Sequence, residues 1–337
     1  MTYRIRVQPS GHEFPCEARE TLLEAALRAG LNLNHGCLSG TCGDCLARVV
    51  QGPVGGVEFH DYVIGEALRG QGCTLLCRTR PGGDMVIEAR EAAGSQDIPE
   101  QQVTARVARV EAVGESYRVL HLRTPRTRTL RFLAGQSVSL TLAGLPARTL
   151  AVASCPCNGL VLQFHLRREP GDPFSERVFG SLAAGDPVEL QGPYGSFTLD
   201  EDGRRPLLMV AADTGFAPLK SLIEHAIALE WAAPLQLVRI APEAGEHYLG
   251  NYCHAWEDAL DAFTYRPLAL GAGAYRDLAP QVVAGLQGVA GADVYLAGPE
   301  EMVRAFSDSF RAAGVPPARL HAEPFLSPPV AVAAVRK

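Results

Sequence analysis

Residues 37–45 read CLSGTCGDC, which places three cysteines within nine residues, separated only by small or polar side chains and one leucine. A further cysteine, Cys77, follows in TLLCRTR at residues 74–80. Three thiolates on so short a loop, with a fourth in reserve, are a metal-binding pattern first and a set of unrelated thiols second. Structural zinc sites usually carry two C-x2-C pairs, and this chain has one.

The spacing C-x4-C-x2-C with a distant fourth cysteine is the plant-type arrangement for a [2Fe-2S] cluster. Two irons ask for four thiolates, here Cys37, Cys42, Cys45 and Cys77. Gly36, Gly40 and Gly43 permit turns that aim backbone N–H groups at the sulfurs. Cys73 lies four residues before Cys77, but Cys77 directly follows the apolar Leu75-Leu76 and is the expected fourth ligand. Ahead of the loop, ETLLEAALRAGLNL reads as a short amphipathic helix. Thr21 and Glu24 have capping-box spacing, Leu22, Leu23, Ala26 and Leu27 share a side, and Gly30 ends it.

With 337 residues the chain is too long for one ordinary core and suits two or three domains. A hydrophobic content of 47% and a charged content of 20% describe a soluble globular protein, with no apolar run long enough to span a bilayer. No membrane insertion is expected. The opening MTYRIRVQPS carries no apolar export segment, so a cytoplasmic location is expected. A formal net charge of -6 gives no electrostatic reason to expect nucleic acid. Clustered thiols in a reducing compartment are metal ligands more often than disulfides, and Cys16, Cys155, Cys157 and Cys253 read as ordinary thiols.

Beyond the cluster region, EAAGSQDIPEQQ at residues 91–102 is small and polar and reads as a linker. Short alternating runs follow: VTARVARVEAV, YRVLHLRT, QSVSLTLA, LVLQFHLRR and DPVELQGP. Their spacing predicts an antiparallel barrel or sandwich. From about residue 206 the pattern changes to a buried strand, PLLMVAAD, then a helix, APLKSLIEHAIALEW, with Pro218 near its first turn. LQLVRIA, RPLALG and DVYLAGP are further strands, and the alternation predicts an open α/β sheet with a nucleotide crevice at its strand ends.

Residues 1 to about 90 resemble a plant-type ferredoxin domain, through YRIRV, HEFPCEA, the four cysteines and the closing DMVIEAR. The whole chain resembles the ferredoxin-NAD(P)H reductase superfamily, in the class of oxygenase and dehydratase reductases whose [2Fe-2S] domain is N-terminal. The resemblance implies a β-grasp ferredoxin domain (1–92), a linker (93–101), an antiparallel β-barrel for FAD (102–203), an α/β NAD(P)-binding domain with a parallel sheet (204–326) and a tail (327–337). It implies an NAD(P)H-dependent iron-sulfur flavoprotein reductase that moves electrons from NAD(P)H through FAD to the cluster. From there they pass to an electron-accepting protein such as a terminal oxygenase or dehydratase component. The division is chemically sensible, because a hydride carries two electrons, the cluster takes one, and a flavin holds either count.

The family motifs also assign positions. FLAGQSVSL (132–140) resembles the barrel strand built around Gly135 and Gln136. ARTLAVAS falls on the flavin motif Arg-x-Tyr-Ser, keeping Arg148 for pyrophosphate and running on to Val152, with Leu150 and Ala151 in place of the tyrosine and serine. REPGDPFSERVF matches the phosphate loop, with Ser175 placed for pyrophosphate and Asp172 where a glycine is expected. QGPYGSF supplies Gly192, Pro193, Tyr194 and Gly195 beside the flavin. VAADTGFAP stands for A-G-G-T-G-x-A-P, keeping Thr214 and Gly215 but replacing both earlier glycines with Ala212 and Asp213. AGPEEMV keeps Gly298, Pro299 and Met302, with Ala297 for the cysteine, and Pro242 stands where an arginine is usual. AEPFL resembles the terminal Glu-x-Phe, with Phe325 at the flavin face. Beyond the cofactors themselves no catalytic side chain is assigned.

The departures concentrate where FAD or NAD(P)H would touch the chain, while the cluster cysteines are intact. An alternative reading is therefore a non-enzymatic [2Fe-2S] carrier or assembly subunit on a reductase scaffold. Arg123, Arg126, Arg128 and Arg131 read as a solvated loop, with docking of an acidic partner as the functional alternative. His35 reads as a neighbour of the cluster, His165 as strand packing, and Trp231 and Trp256 as helix packing.

Overall fold

Three large sheets and one two-stranded ribbon organise the chain in the computed structural model, which describes residues 1–58, 63–157, 159–243 and 245–325. The tail at 327–337 lies outside the described residues.

The first sheet begins with β1 (Thr2–Gln8) and β2 (Glu13–Glu17), an antiparallel pair whose alternate residues Ile5, Val7, Phe14 and Cys16 point into a core. Helix α1 (Leu22–Arg28) packs Leu22, Leu23, Ala25, Ala26 and Leu27 on that core. Its start is fixed reciprocally: the Glu24 N–H donates to Thr21 Oγ1 and the Thr21 N–H to the Glu24 carboxylate, both at 3.2 Å. Such a cap contributes about 1 kcal/mol. After β3 (Leu46–Gln51), β4 (Val54–Val57), α2 (Glu66–Gly70), β5 (Cys73–Leu75) and β6 (Thr79–Pro81), strand β7 (Met85–Glu88) inserts parallel to β1. The order β2-β1-β7-β3-β5, with α1 against it, is a β-grasp.

The second sheet has the order β11-β10-β13-β8-β9-β12 and curls into a nearly closed barrel. Its strands are β8 (Gln101–Val113), β9 (Tyr117–Arg123), β10 (Ser137–Thr141), β11 (Arg148–Ala151), β12 (Val161–Arg167) and β13 (Pro187–Tyr194), all antiparallel to their neighbours. Along β12, Leu162, Phe164 and Leu166 enter the barrel core. The period of two then forces Gln163, His165 and Arg167 onto the outer face, toward the third sheet. Helix α3 (Pro173–Gly180) follows β12, with Asp172 as its N-cap and Pro173 in its first turn.

The third sheet is wholly parallel, with the order β16-β15-β14-β17-β18. It comprises β14 (Leu207–Ala212), β15 (Leu235–Ala241), β16 (Phe263–Ala269), β17 (Asp293–Pro299) and β18 (Leu320–Phe325), alternating with α4 (Phe216–Ala228), α5 (Gly250–Ala259), α6 (Tyr275–Ala284) and α7 (Glu300–Ala312). All six residues of β14 are buried, as a central parallel strand with helices on both faces requires. The direction of winding reverses between β14 and β17, and this opens a crevice beyond their carboxyl ends.

The three units are stitched together by buried polar contacts. Lys220 on α4 donates to the Ala153 carbonyl and to Gln163 Oε1, each at 3.1 Å, and pairs with Glu224 at 2.5 Å. Ser221 Oγ donates to the Ser154 carbonyl at 2.7 Å. The polar segment read as a linker is pinned, its Ala92 N–H donating to the Asn32 carbonyl at 3.0 Å. Arg131 is a correction to the solvated-loop reading. It is only 6% exposed and reaches into the first unit, because a buried guanidinium needs several acceptors and the cluster loop offers them. Cys155 and Cys157 also depart from expectation: they are joined in a disulfide, their Cα atoms 5.1 Å apart.

Candidate functional site

The cluster loop runs from the end of α1 to the start of β3, and Cys77 sits in a single tight turn between β5 and β6. Cys37, Cys45 and Cys77 are buried, whereas Cys42 is exposed at the protein surface. The sulfurs fall into two pairs, Cys37 with Cys42 and Cys45 with Cys77, each close enough for a side-chain hydrogen bond. Backbone N–H groups converge on them. Burial alone would raise the Cys37 thiol, but the N–H groups of Ser39 and Cys42 outweigh it and bring it down to about 6. The Thr41 hydroxyl donates to Cys37 Sγ at 3.7 Å and the Asp44 N–H to Cys42 Sγ at 3.5 Å. Gly36 leaves room for the Asp44 side chain, whose carboxylate would lie 2.3 Å from a Cβ there. Among the described residues no three His, Cys, Asp or Glu side chains converge on a single ion. The two sulfur pairs suit two irons, each of which takes two protein thiolates. Cys73, by contrast, is a half-exposed strand residue paired in register with Arg48.

A second feature is a cleft of about 360 Å³ between the barrel and the parallel sheet, at the β14/β17 reversal. Its walls bring together Arg148, Leu150 and Ala151 from β11, His165 and Arg167 from β12, Asp213, Thr214 and Gly215 after β14, Ala297 from β17, and Glu323 and Phe325 from β18. Gly215 allows the close approach of α4 to β17, for a Cβ there would stand 2.1 Å from the Ala297 carbonyl oxygen. Burial pushes the Glu323 carboxyl up. The walls set apolar Leu150, Ala151, Ala297 and Phe325 beside polar Arg148, Arg167, Thr214 and Glu323, a mixture that suits a flat ring system carrying a phosphate tail. Two buried polar atoms in it are left over: His165, 2% exposed with its Nδ1 3.0 Å from the Tyr248 hydroxyl, has no partner at Nε2, and Asp213 has none at Oδ1. The residues present therefore fit a flavin.

Of the positions assigned from sequence, Arg148, Thr214, Gly215 and Phe325 line this cleft. Gly192, Pro193 and Tyr194 end β13 and Gly195 follows it; none of the four lines the cleft, but Tyr194 pairs with Ser137, which does, and Gln136 Nε2 donates to the Gly195 carbonyl at 3.0 Å. Ser175 lies at the start of α3, accepting from the Glu169 N–H at 2.9 Å with its own hydroxyl proton left to give. Gly298 and Pro299 close β17 beside Ala212, Met302 is buried beneath Gly298, and Val152 is buried in the barrel core. Arg148 is engaged on two sides, with Asp172 at 2.7 Å and with Glu169.

Sequence reasoning passed over Arg167, Tyr117, Tyr248 and Glu323, and took His165 for packing. Tyr117 and Tyr248 stack at 4.3 Å, and Arg167 holds Asp213 at 2.7 Å. The period of two along β12 was the available signal, since it sets His165 and Arg167 on the face opposite the barrel core.

Comparison with known proteins agrees with this construction. Residues 5–82 match the family model of the 2Fe-2S iron-sulfur cluster binding domain. The chain is 32% identical to the reductase subunit of an aromatic O-demethylase from an Amycolatopsis species, over 96% of this chain and 99% of that one. It is 29% identical to reductase component 1 of terephthalate 1,2-dioxygenase from a Comamonas species, over 79% of this chain and 78% of that protein. Among solved structures, the Amycolatopsis cytochrome P450 reductase GcoB superposes with a TM-score of 0.61 at 29% identity, covering 97% of this chain and 99% of that one. The chain belongs to the ferredoxin-NAD(P)H reductase superfamily, in the branch with an N-terminal plant-type [2Fe-2S] domain. It is an iron-sulfur flavoprotein reductase that carries electrons from NAD(P)H through FAD to the cluster and on to a partner protein.

Proposed function

We propose that the electron pair of NAD(P)H enters at the cleft between the barrel and the parallel sheet, and that single electrons leave at the loop carrying Cys37, Cys42 and Cys45. The observation that carries this reading is the convergence of Arg148, Thr214, Gly215 and Phe325, from four separate segments, on one cleft. FAD, when bound there, converts a two-electron donor into a one-electron source. Arg148 and Ser175 hold its pyrophosphate, and the turn of Gly192, Pro193, Tyr194 and Gly195 borders the ring. Leu150, Ala151 and Phe325 exclude water from its faces. Thr214, Gly215, Gly298 and Pro299 place the nicotinamide against it, while Val152 and Met302 act from beneath by packing.

Cys37 and Cys42 hold one iron and Cys45 and Cys77 the other. The exposed Cys42 sets the outlet edge for a partner, which by the relatives' names is a terminal oxygenase, a demethylating P450 or a dehydratase component. The functional divisions are 1–92, 102–203 and 204–326, and the setting is the cytoplasm; among the described residues no helix is long and apolar enough to cross a membrane.

The test is an anaerobic titration of cluster- and flavin-loaded protein with NADH and then NADPH, followed by visible absorption. Stoichiometric bleaching of both flavin and iron-sulfur bands supports the route and ranks the nucleotides. A cluster that bleaches with dithionite but with neither nucleotide would overturn it.

A further inference from the structure

The larger surface of the nucleotide crevice is divided in two. Beyond the carboxyl ends of β15 and β16 lies a cavity of about 780 Å³, walled by Tyr117, Pro242, His247, Tyr248, Asn251 and Pro267. The flavin cleft described above lies on the other side, at the β14/β17 reversal. Arg167 is the one residue that lines both. Its guanidinium Nη1 is held at 2.7 Å by the Asp213 carboxylate, and the stacked Tyr117 and Tyr248 rings stand beside it.

Asp213 is unusual on three counts. It is the first residue after β14, in the left-handed region at φ 53, where a non-glycine residue is uncommon. Its side chain is only 12% exposed. One of its two carboxylate oxygens is buried without a hydrogen-bond partner. A half-satisfied buried carboxylate is costly to keep, and here it holds the guanidinium that lines both cavities.

A nicotinamide dinucleotide is two nucleosides joined by a pyrophosphate, and in an open α/β sheet it lies across the crevice at the strand-order reversal. With the nicotinamide in the flavin cleft and the adenosine in the larger cavity, the pyrophosphate must cross the wall at Arg167. Among the described residues the cleft's other guanidinium, Arg148, is already engaged by Asp172 and Glu169. The two imidazoles in the larger cavity's wall, His247 and His254, do not line the cleft. We propose that Asp213 is an internal competitor for the dinucleotide phosphates: the Arg167–Asp213 ion pair closes the passage between the two cavities, and NAD(P)H binds by exchanging its pyrophosphate for the Asp213 carboxylate on Arg167. This rests on the assignment of the cleft as the site of hydride entry. It makes Arg167 a nucleotide-binding residue and Asp213 the element that limits affinity.

The experiment uses the flavin- and cluster-loaded protein, with NADH turnover measured to a one-electron dye and NAD+ affinity measured by the flavin difference spectrum. Asp213→Asn removes the charge yet tolerates the left-handed backbone, and Asp213→Gly, which suits that backbone better, serves if the first variant folds poorly. Both are expected to lower the NADH KM and the NAD+ Kd by roughly tenfold, with the effect concentrated in binding. Arg167→Ala is expected to raise both by a similar factor, and Asp213→Asn placed in the Arg167→Ala background should recover little of the gain. Unchanged or weakened binding in the Asp213 variants overturns the proposal, as does an equal gain with and without Arg167, which would mean simple repulsion. If the wild-type protein is reduced normally and the Asp213 variants match it, only this inference fails. If no variant, wild type included, responds to either nucleotide, the hydride-entry assignment fails with it.

Discussion

Arg131 on the barrel side reaches Asn34 in the cluster loop, its Nη1 lying 2.6 Å from the Asn34 side-chain oxygen and its Nη2 3.0 Å from the Asn32 carbonyl. Close by, the Leu38 N–H donates to the Arg126 carbonyl at 2.8 Å and the Thr129 N–H to the Gly36 carbonyl at 3.1 Å. Arg123, Arg126 and Arg128 are exposed as expected of a solvated run, but Arg131 and the backbone of the same stretch form a seam between the ferredoxin unit and the flavin barrel.

Replacing that guanidinium should loosen the seam. Arg131→Ala deletes two charge-assisted hydrogen bonds inside a nearly dry interface, a loss of about 1.5–3 kcal/mol. Stopped-flow reduction should show flavin bleaching at its normal rate with delayed bleaching of the cluster, and a lower Tm. Equal flavin and cluster phases at unchanged Tm would show that the seam is not what holds the two units in register.

Cys77 and Cys73 separate cleanly by mutation. Cys77→Ser should abolish or strongly shift the iron-sulfur absorption while leaving flavin content near that of the wild type. Cys73→Ser should leave the visible and paramagnetic resonance spectra of the reduced cluster unchanged, because Cys73 belongs to neither sulfur pair and sits half-exposed on β5 opposite Arg48. A lost cluster in Cys73→Ser would reverse the ligand assignment.

Flavin retention tests the Arg148 triad. Arg148→Ala removes the cleft's pyrophosphate cation, and purified protein should carry substoichiometric FAD with a Kd raised at least about tenfold. Asp172→Asn keeps a good helix cap for α3 and frees Arg148 from one carboxylate, so FAD should bind at least as tightly. Weaker FAD binding in Asp172→Asn would mean that the carboxylate orients Arg148 and does not compete for it.

His165 sets an acid limit. Burial, with Lys220 and Arg239 nearby, holds its imidazole well below the ordinary value of 6.5, so it stays neutral in the folded chain. The unfolded chain takes up that proton at about pH 6.5 and the folded chain does not. Stability is therefore intact above about pH 6.5 and falls as the pH drops below it, by at most about 1.4 kcal/mol per unit for one group. His165→Gln should show a shallower loss between pH 6.5 and 5 in denaturant melts. Identical acid limbs would place the effect on His35, His121, His247 or His321, whose imidazoles burial also lowers.

Gly215 marks the closest approach of α4 to β17. Gly215→Ala would drive a methyl group into the Ala297 carbonyl, and overpacking of this kind costs about 1–3 kcal/mol. The expected result is a lower Tm together with a raised NADH KM, since the same shift widens the cleft. A fully active variant at wild-type Tm would show that the helix slides freely there.

Much of the fold was legible because it is periodic and local. The alternation in β8, the six buried residues of β14, and the Thr21–Glu24 cap each follow from neighbours a few residues apart. The four cluster cysteines were legible for the same reason, since three share one loop and the fourth follows an apolar pair. The Cys155–Cys157 disulfide was not. A C-x-C spacing permits a bond and equally permits two thiols, and only the backbone path between β11 and β12 brings the sulfurs together.

The amino-acid sequence by itself determined the succession of three units and the class of electron carrier to which the chain belongs. Tertiary structure alone decided which charges answer one another. Arg131 finds Asn34 across 97 positions, and Arg167 finds Asp213 across 46. The physical reason is that periodicity reports the face a side chain occupies, whereas its partner depends on how loops close and sheets pack. That closure set Asp213 beside Arg167, the residue that lines both cavities.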